Sequence, residues 1–151
     1  MEWASGYLGG LVHARPVMRR RVSSYDTTGA NDDYWRLEPG ARRTIADIFG
    51  AGTITHLWFT SASDEPYWTR RVVLRAWWDE EEAPSIEVPL GDFFGCGHGV
   101  IRRYQSAALD MSGPDGANHS AFNCWWPMPF GSRAKLEVTN ESEEARNLYF
   151  Y

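Results

Sequence analysis

The feature of this sequence that most restricts its fold is a series of short runs of β-branched and aromatic residues separated by turn-forming residues. Runs that are too short for helices and bounded by Gly, Pro and Asp are typical of the strands of an all-β sandwich or barrel. The runs span residues 44–48, 54–60, 71–78, 85–90, 104–109, 121–126, 134–138 and 147–151. Apolar and polar residues alternate in 73–77 and 135–139. We therefore expect these strands to turn one side toward a core and the other outward.

The length and charge of the chain restrict the class of protein further. A chain of 151 residues fits one domain, and we expect an N-terminal segment over 1–21 followed by one β-sandwich domain over 22–151. The net charge of -5 argues against nucleic-acid binding, which depends on Lys and Arg that neutralise phosphates. Because no apolar run approaches the ~20 residues that cross a bilayer, we expect no membrane contact.

The first residues and the cysteines bear on location and chemistry. Glu2 is acidic and no sustained apolar stretch follows it, which is unlike a secretory signal and favours a cytoplasmic protein. The two cysteines, Cys96 and Cys124, do not make a disulfide framework in a chain of this length, and we expect both to be reduced and buried. The four histidines lack the regular spacing of a zinc site, so the sequence predicts no metal and no cofactor.

The segment 23–33 combines hydroxyls, carboxylates and a carboxamide around Gly29. A positive φ at Gly29 would let the neighbouring side chains point to one place, which suits a polyhydroxylated ligand. The candidate binding side chains in this segment are Asp26, Thr28, Asn31 and Asp33. The same residue types also build ordinary turns, in which side chains bond to the backbone and no ligand is needed. The segment alone leaves both interpretations open.

Two tryptophan doublets, Trp77-Trp78 and Trp125-Trp126, predict indole rings outside the core. Neighbouring side chains of a strand face opposite sides of the sheet, so at least one ring of each doublet lies outside. An exposed indole is covered either by the apolar side of a sugar ring or by a second subunit. Packing within or between the sheets is the third interpretation.

The histidines and acidic residues leave the catalytic residues unknown. His98 lies between Gly97 and Gly99 and is free to contact a ligand from a loop, whereas His56 lies among strand residues and fits a hydrogen-bonded core histidine. Hydrolysis of a glycosidic bond uses two carboxyl groups about 5–10 Å apart, and the spacing of acidic residues identifies no such pair. We interpret the acidic stretch 79–82 as a solvated turn.

Several motifs together resemble a known enzyme family. They are Ser23-Ser24-Tyr25-Asp26 with the following Thr28-Gly29 and Asn31-Asp32-Asp33, residues 88–95 (VPLGDFFG), and residues 123–130 (NCWWPMPF). From about Val22 to its end, the chain resembles glycoside hydrolase family 172, which includes difructose dianhydride I synthase/hydrolase and exo-acting α-D-arabinofuranosidases. The resemblance implies a jelly-roll β-sandwich, the first of two in a longer protein. It also implies a retaining glycoside hydrolase that acts on α-furanosides of fructose or arabinose and assembles as a homo-oligomer, a trimer or a hexamer.

The resemblance also implies a set of residues that contribute to a sugar pocket. These residues are Asp26, Thr28, Asn31, Asp33, His98, Asn123 and Trp125. Asp26 and Asn31 would hydrogen-bond furanose hydroxyls, and Trp125 would form part of the wall. Thr27 and Ala30 stand where the family pattern leads us to expect Arg and Gly, which changes the geometry of this loop.

The family's catalytic glutamates come after the matched region, so we assign neither the nucleophile nor the acid/base to a residue of this sequence. The run 147–151 ends the chain without a turn, and we expect the jelly roll to be truncated there and the chain to be inactive alone. Two other functions stay open. One is a non-catalytic carbohydrate-binding β-sandwich, and the other is an oligomeric structural jelly roll whose exposed aromatic residues contact subunits.

Overall fold

A computed structural model describes residues 16–151. Residues 1–15, which make up most of the expected N-terminal segment, lie outside the described residues. Residues 16–22 are exposed and have no regular secondary structure. No helix within residues 16–151 is long and apolar enough to cross a membrane.

The described chain is built from strands, as the sequence predicts. The strands are β1 (Trp35–Leu37), β2 (Arg42–Phe49), β3 (Gly52–Ile54), β4 (Leu57–Ala62), β5 (Val72–Trp78), β6 (Ile86–Pro89), β7 (Tyr104–Gln105), β8 (Leu109–Met111), β9 (His119–Cys124), β10 (Met128–Phe130), β11 (Arg133–Asn140) and β12 (Arg146–Phe150). Helical structure in residues 16–151 is limited to a 3-10 turn at Trp68–Arg70 and a single turn, α1, at Leu90–Phe93. The all-β fold class is confirmed.

The strands pair as an antiparallel ribbon that is folded over on itself. β1 pairs with β12, β2 with β11, β3 with β10, β4 with β9, and β5 with β6. The larger sheet has the order β1-β12-β4-β9-β8-β7, the smaller sheet has the order β2-β11-β5-β6, and β3 with β10 forms a separate ribbon. The paired ribbon therefore passes from one sheet to the other and back. This is the arrangement of a jelly-roll β-sandwich, and the predicted architecture is confirmed.

The core contains side chains from both sheets. Along β11, Ala134, Leu136 and Val138 are buried at every second position, because alternate side chains of a strand face the same side. From the larger sheet, Phe122 lies between Phe94 and Trp68, with ring centroids 5.5 and 6.1 Å away. The segment after α1 thus closes one part of the core. Cys96 and Cys124 are free and buried, as expected.

Some strand boundaries differ from those that the sequence predicts. The run 104–109 is not one strand, because a turn separates β7 from β8. The Ser106 hydroxyl stabilises this hairpin turn, since it accepts hydrogen bonds from the backbone N–H groups of Ala108 and Leu109, at 3.4 and 3.0 Å. The run 121–126 ends as a strand at Cys124, so Trp125 and Trp126 lie beyond β9.

The acidic stretch 79–82 is more than a solvated turn. One carboxylate oxygen of Asp79 accepts hydrogen bonds from the backbone N–H groups of Gly131, Ser132 and Arg133, at 2.9, 2.6 and 3.1 Å. These bonds join the turn after β5 to the turn between β10 and β11. They also lower the pKa of Asp79, chiefly through the Ser132 N–H group, because a carboxylate that accepts hydrogen bonds is stabilised in its charged form.

Candidate functional site

The outer side of the larger sheet carries aromatic and polar side chains in adjacent strands. Trp58 in β4 lies opposite Asn123 in β9, which lies opposite Asp110 in β8. Their neighbours Phe59 and Phe122 are buried in the core, so the alternation of strand side chains turns Trp58 and Asn123 outward. We call the side chains gathered here the aromatic face: His56, Trp58, Asp110, Asn123, Trp125 and Tyr151.

Hydrogen bonds connect the polar members of the aromatic face. The Asn123 Nδ2 atom donates to Asp110 Oδ1 at 2.8 Å, and Asn123 Oδ1 lies 3.0 Å from His56 Nε2. Asn123 is partly buried, and both ends of its side-chain amide therefore have partners within the protein. The result is a polar line across β8, β9 and the residue that precedes β4.

Aromatic rings lie next to this polar line and contact one another. The His56 ring stacks on Trp125, with centroids 5.2 Å apart, and Trp58 stacks on Tyr151 at 5.0 Å. His56 and Tyr151 are joined edge to face at 5.3 Å, and the Arg21 guanidinium lies 4.3 Å from the centre of the Tyr151 ring. Flat apolar rings beside hydrogen-bonding groups are what a sugar ring requires of a binding surface.

The loop at 26–33 is held together by its own carboxylates. Asp26 accepts hydrogen bonds from the backbone N–H and the hydroxyl of Thr28, at 2.8 and 2.7 Å, and from the backbone N–H of Ala30 at 2.7 Å. Asp33 in turn accepts the backbone N–H of Asp26 at 2.8 Å. The Thr28 hydroxyl is the largest cause of the lowered pKa of Asp26, because its hydrogen bond stabilises the charged carboxylate. Both carboxylate oxygens of Asp26 are thus engaged by the loop, while the side chain of Asn31 is exposed.

The segment that leads into this loop lies beside β12. The backbone N–H of Ser24 donates to the carbonyl oxygen of Phe150 at 3.0 Å, and the N–H of Phe150 donates to the Ser24 hydroxyl at 3.0 Å. In the order of the larger sheet, Ser24 is three strand spacings from Asn123, or about 14 Å. The loop therefore adjoins the same sheet as the aromatic face, with β12 and β4 between the loop and Asn123.

His98 lies elsewhere, in the loop that follows α1. It lines a cavity of about 320 Å³ together with Cys96, Arg102 and Tyr104, and no residue of the aromatic face lines that cavity. Burial raises the pKa of the Cys96 thiol, which keeps the thiol protonated and makes it a poor nucleophile. Within residues 16–151, no group of three or more His, Cys, Asp or Glu side chains is placed to hold a metal ion.

The structure therefore divides the predicted site residues into three groups. Asn123 and Trp125 come together with His56. The loop residues Asp26, Thr28, Asn31 and Asp33 form the second group beside β12, and His98 is by itself near α1. The role of each of these residues in binding stays a prediction.

A family model gives the relationship of the chain to known proteins. The model, described as GH172 domain-like, matches residues 28–150. The chain belongs to the GH172 domain-like family. It is thus related to the glycoside hydrolases of family 172, as the sequence motifs predict. A search of curated proteins finds no match to the chain. The matched range contains every strand of the jelly roll.

Several members of the aromatic face were not singled out as site residues from the sequence of this GH172 domain. They are His56, Trp58, Asp110 and Tyr151. His56 differs most from expectation, since it does not lie in the core but is half-buried on the outer side of the sheet. The outward position of Trp58 follows from the alternation of β4. The position of Trp58 beside Asn123 could not be predicted in this way, because it depends on the pairing of β4 with β9.

Proposed function

We propose that this GH172 domain supplies a carbohydrate-binding surface to a glycoside hydrolase that acts on α-furanosides of fructose or arabinose. The aromatic face carries the proposal, because two stacked aromatic pairs, which meet where His56 contacts Tyr151, lie next to the hydrogen-bonded side chains of Asn123 and Asp110. A furanose ring has apolar C–H groups on its sides and hydroxyls at its rim. Aromatic rings pack against the C–H groups, and amide and carboxylate groups hydrogen-bond to the hydroxyls.

The loop at 26–33 takes part in the proposed site in two ways. Asp26 has a structural role, since its carboxylate accepts hydrogen bonds that hold the loop in its conformation. Thr28, Asn31 and Asp33 contact a second part of the substrate, which extends from Asn123 across β4 and β12 to the loop. His98 stays a separate candidate contact in its own cavity.

The test is titration of the chain with methyl α-D-arabinofuranoside and methyl α-D-fructofuranoside, followed by NMR. Asn123→Ala and Trp125→Ala are expected to weaken binding about tenfold, because each removes a hydrogen bond or a stacking surface worth on the order of 1 kcal/mol or somewhat more. Chemical-shift changes on sugar addition are expected in β4, β9 and the residues after β9.

Trp77→Ala is the matched control for Trp125→Ala. Trp77 belongs to the smaller sheet, where Arg42 and Lys135 lie 5.5 and 5.1 Å from its ring centre. The same loss of an indole there is expected to leave furanoside binding unchanged. Equal weakening by both substitutions, or equal affinity for methyl α-D-glucopyranoside, would contradict the proposal.

A non-catalytic carbohydrate-binding module is the second candidate, and the contacts of Asp110 favour it. Asp110 is the carboxylate of the aromatic face, and no second carboxylate takes part in the hydrogen bonds of that face within residues 16–151. Glycoside hydrolysis uses two carboxyl groups. The chain alone is expected to be inactive under both candidates, so the test uses the full-length gene product: release of nitrophenol from 4-nitrophenyl α-D-arabinofuranoside by that protein favours the hydrolase, whereas furanoside binding without release favours the module.

A homo-oligomer, a trimer or a hexamer, is part of the same proposal. Trp126 and Phe49 are 59% and 70% exposed, and large exposed apolar rings mark surfaces that another molecule covers. Light scattering of the purified chain measures the number of subunits. Trp126→Ser is expected to lower the measured mass, whereas Trp125→Ala is expected to leave it unchanged.

A further inference from the structure

The hydrogen bonds of the aromatic face determine where the proton of His56 lies. A carboxylate only accepts hydrogen bonds, so Asp110 requires a donor from Asn123, and that donor is Nδ2 at 2.8 Å. The Asn123 atom that faces His56 is then Oδ1, 3.0 Å from Nε2. Because an amide oxygen only accepts, His56 must carry a proton on Nε2. A neutral imidazole has one N–H, so Nδ1 is left with a free lone pair.

The surroundings of His56 hold this lone pair in a defined direction. The ring is stacked on Trp125 with an angle of 7° between the planes, and it meets Tyr151 edge to face. Among residues 16–151, Nδ1 has no hydrogen-bond partner, and it is not among the buried unpartnered polar atoms. It is therefore an oriented acceptor at the aromatic face that no described residue occupies.

We infer that Asp110, acting through Asn123, holds His56 in the Nε2–H tautomer so that its Nδ1 accepts a hydrogen bond from a carbohydrate hydroxyl. This inference rests on the proposed function and adds a specific role to it: His56 contacts the sugar, and Asp110 is a positioning residue. A fixed acceptor favours a sugar with a hydroxyl that donates a hydrogen bond to it. A sugar that lacks this hydroxyl is disfavoured, since it would remove water from Nδ1 without supplying another donor.

The tautomer is read directly from long-range ¹H–¹⁵N NMR correlations of the histidine rings in mildly alkaline buffer. The unsubstituted chain is expected to give the pattern of a ring protonated at Nε2 for His56, with a slowly exchanging Nε2 proton. In Asp110→Ala and Asn123→Ala that proton is expected to exchange faster, and the pattern to move toward a mixture of tautomers. His119, exposed at the start of β9, serves as the internal control and is expected to keep its pattern.

A double-mutant cycle separates a positioning role from direct contact. His56→Phe keeps a ring to stack on Trp125 but removes both nitrogens, and it is expected to weaken furanoside binding about tenfold. Asp110→Ala is expected to weaken binding as well, yet to add no further loss to His56→Phe, because both act through the same contact. If Asp110→Ala does not fold, Asp110→Asn replaces it, since an amide no longer dictates the orientation of Asn123.

The inference is overturned by a proton on Nδ1 of His56 in the neutral ring without one on Nε2, by an unchanged tautomer pattern after loss of Asp110, or by additive losses in the cycle. Furanoside binding that survives His56→Phe unchanged would also contradict it, while leaving the proposed function intact. Absence of furanoside binding by the unsubstituted chain would instead contradict the proposed function itself, whichever tautomer His56 holds.

Discussion

The imidazole of His56 lies face to face with the indole of Trp125, with ring centroids 5.2 Å apart and planes 7° from parallel. His56 directly precedes β4, Trp125 directly follows β9, and the last paired residues of these strands are Leu57 and Cys124. The stack thus extends the strand pairing by one step beyond the backbone ladder. It also explains how an indole that is 42% exposed is held in one orientation.

Removal of this indole is expected to change the NMR signals of His56. In Trp125→Ala the His56 ring protons lose the shielding of the stacked ring and move downfield, and the free energy of unfolding falls by about 0.5–1.5 kcal/mol. Proton spectra and urea denaturation measure the two effects. Trp126→Ala is the control, and an equal shift of the His56 signals in that variant would rule out the stack.

The Asp26 carboxylate is expected to protect the backbone of its loop. Asp26→Ala removes the acceptor of the Thr28 and Ala30 N–H groups, so hydrogen exchange of these amides is expected to become faster. Asp32→Ala is the matched control, because the Asp32 side chain accepts no hydrogen bond from residues 16–151 in this loop. Unchanged exchange at Ala30 in Asp26→Ala would show that other contacts hold the loop.

Asp79 is expected to make stability depend on pH in the acid range. Its pKa is lowered in the folded protein, so its stabilising contribution is present above the ordinary aspartate pKa of about 3.9. That contribution is lost as the pH falls below this value through the lower folded pKa. Asn tolerates the φ of +57° at this position, as Asp does. Asp79→Asn is therefore expected to be less stable than the unsubstituted chain at neutral pH and to lose less stability on acidification. Urea denaturation at several pH values measures this, with Glu82→Gln as the control that should follow the unsubstituted chain.

Gly91 in α1 is expected to tolerate no side chain. A Cβ atom there would lie 2.6 Å from the Cβ atom of Thr69 and 3.2 Å from its backbone oxygen, and both residues are buried. Gly91→Ala should therefore lower the free energy of unfolding by about 1–3 kcal/mol. Gly97→Ala, where no atom lies within 4 Å of the added Cβ, should cost much less, and equal destabilisation by the two variants would argue against close packing of α1 on the 3-10 turn.

Local patterns explain why the fold class was predictable from the sequence. The alternation of apolar and polar residues along 73–77 and 135–139 indicates which side of each strand is buried. This signal does not depend on which strand is its partner. The short strands β1 and β10, with three residues each, were not predicted, because three residues carry too little periodicity. The break between β7 and β8 was missed because the turn there is stabilised by the hydrogen bonds of one hydroxyl, that of Ser106.

The candidate site was predictable only in part. Asn123 and Trp125 were found through the motif at 123–130, whereas His56 was interpreted as a core residue because it lies among strand residues. His56 directly precedes the start of β4 at Leu57, whose side chain is buried in the core, and its position on the outer side is shown by its contacts with Asn123 and Trp125. Those contacts join residues that are far apart along the chain.

By itself, the sequence determined that this protein is an all-β member of the GH172 domain-like family, because strand periodicity and short motifs are local properties of the chain. Only the tertiary structure decided which outward side chains meet. The pairing of β4 with β9, and of β9 with β8, brings His56, Asn123 and Asp110 into one line of hydrogen bonds. Strand order is set by the packing of two whole sheets around a common core, and no short stretch of sequence contains that information.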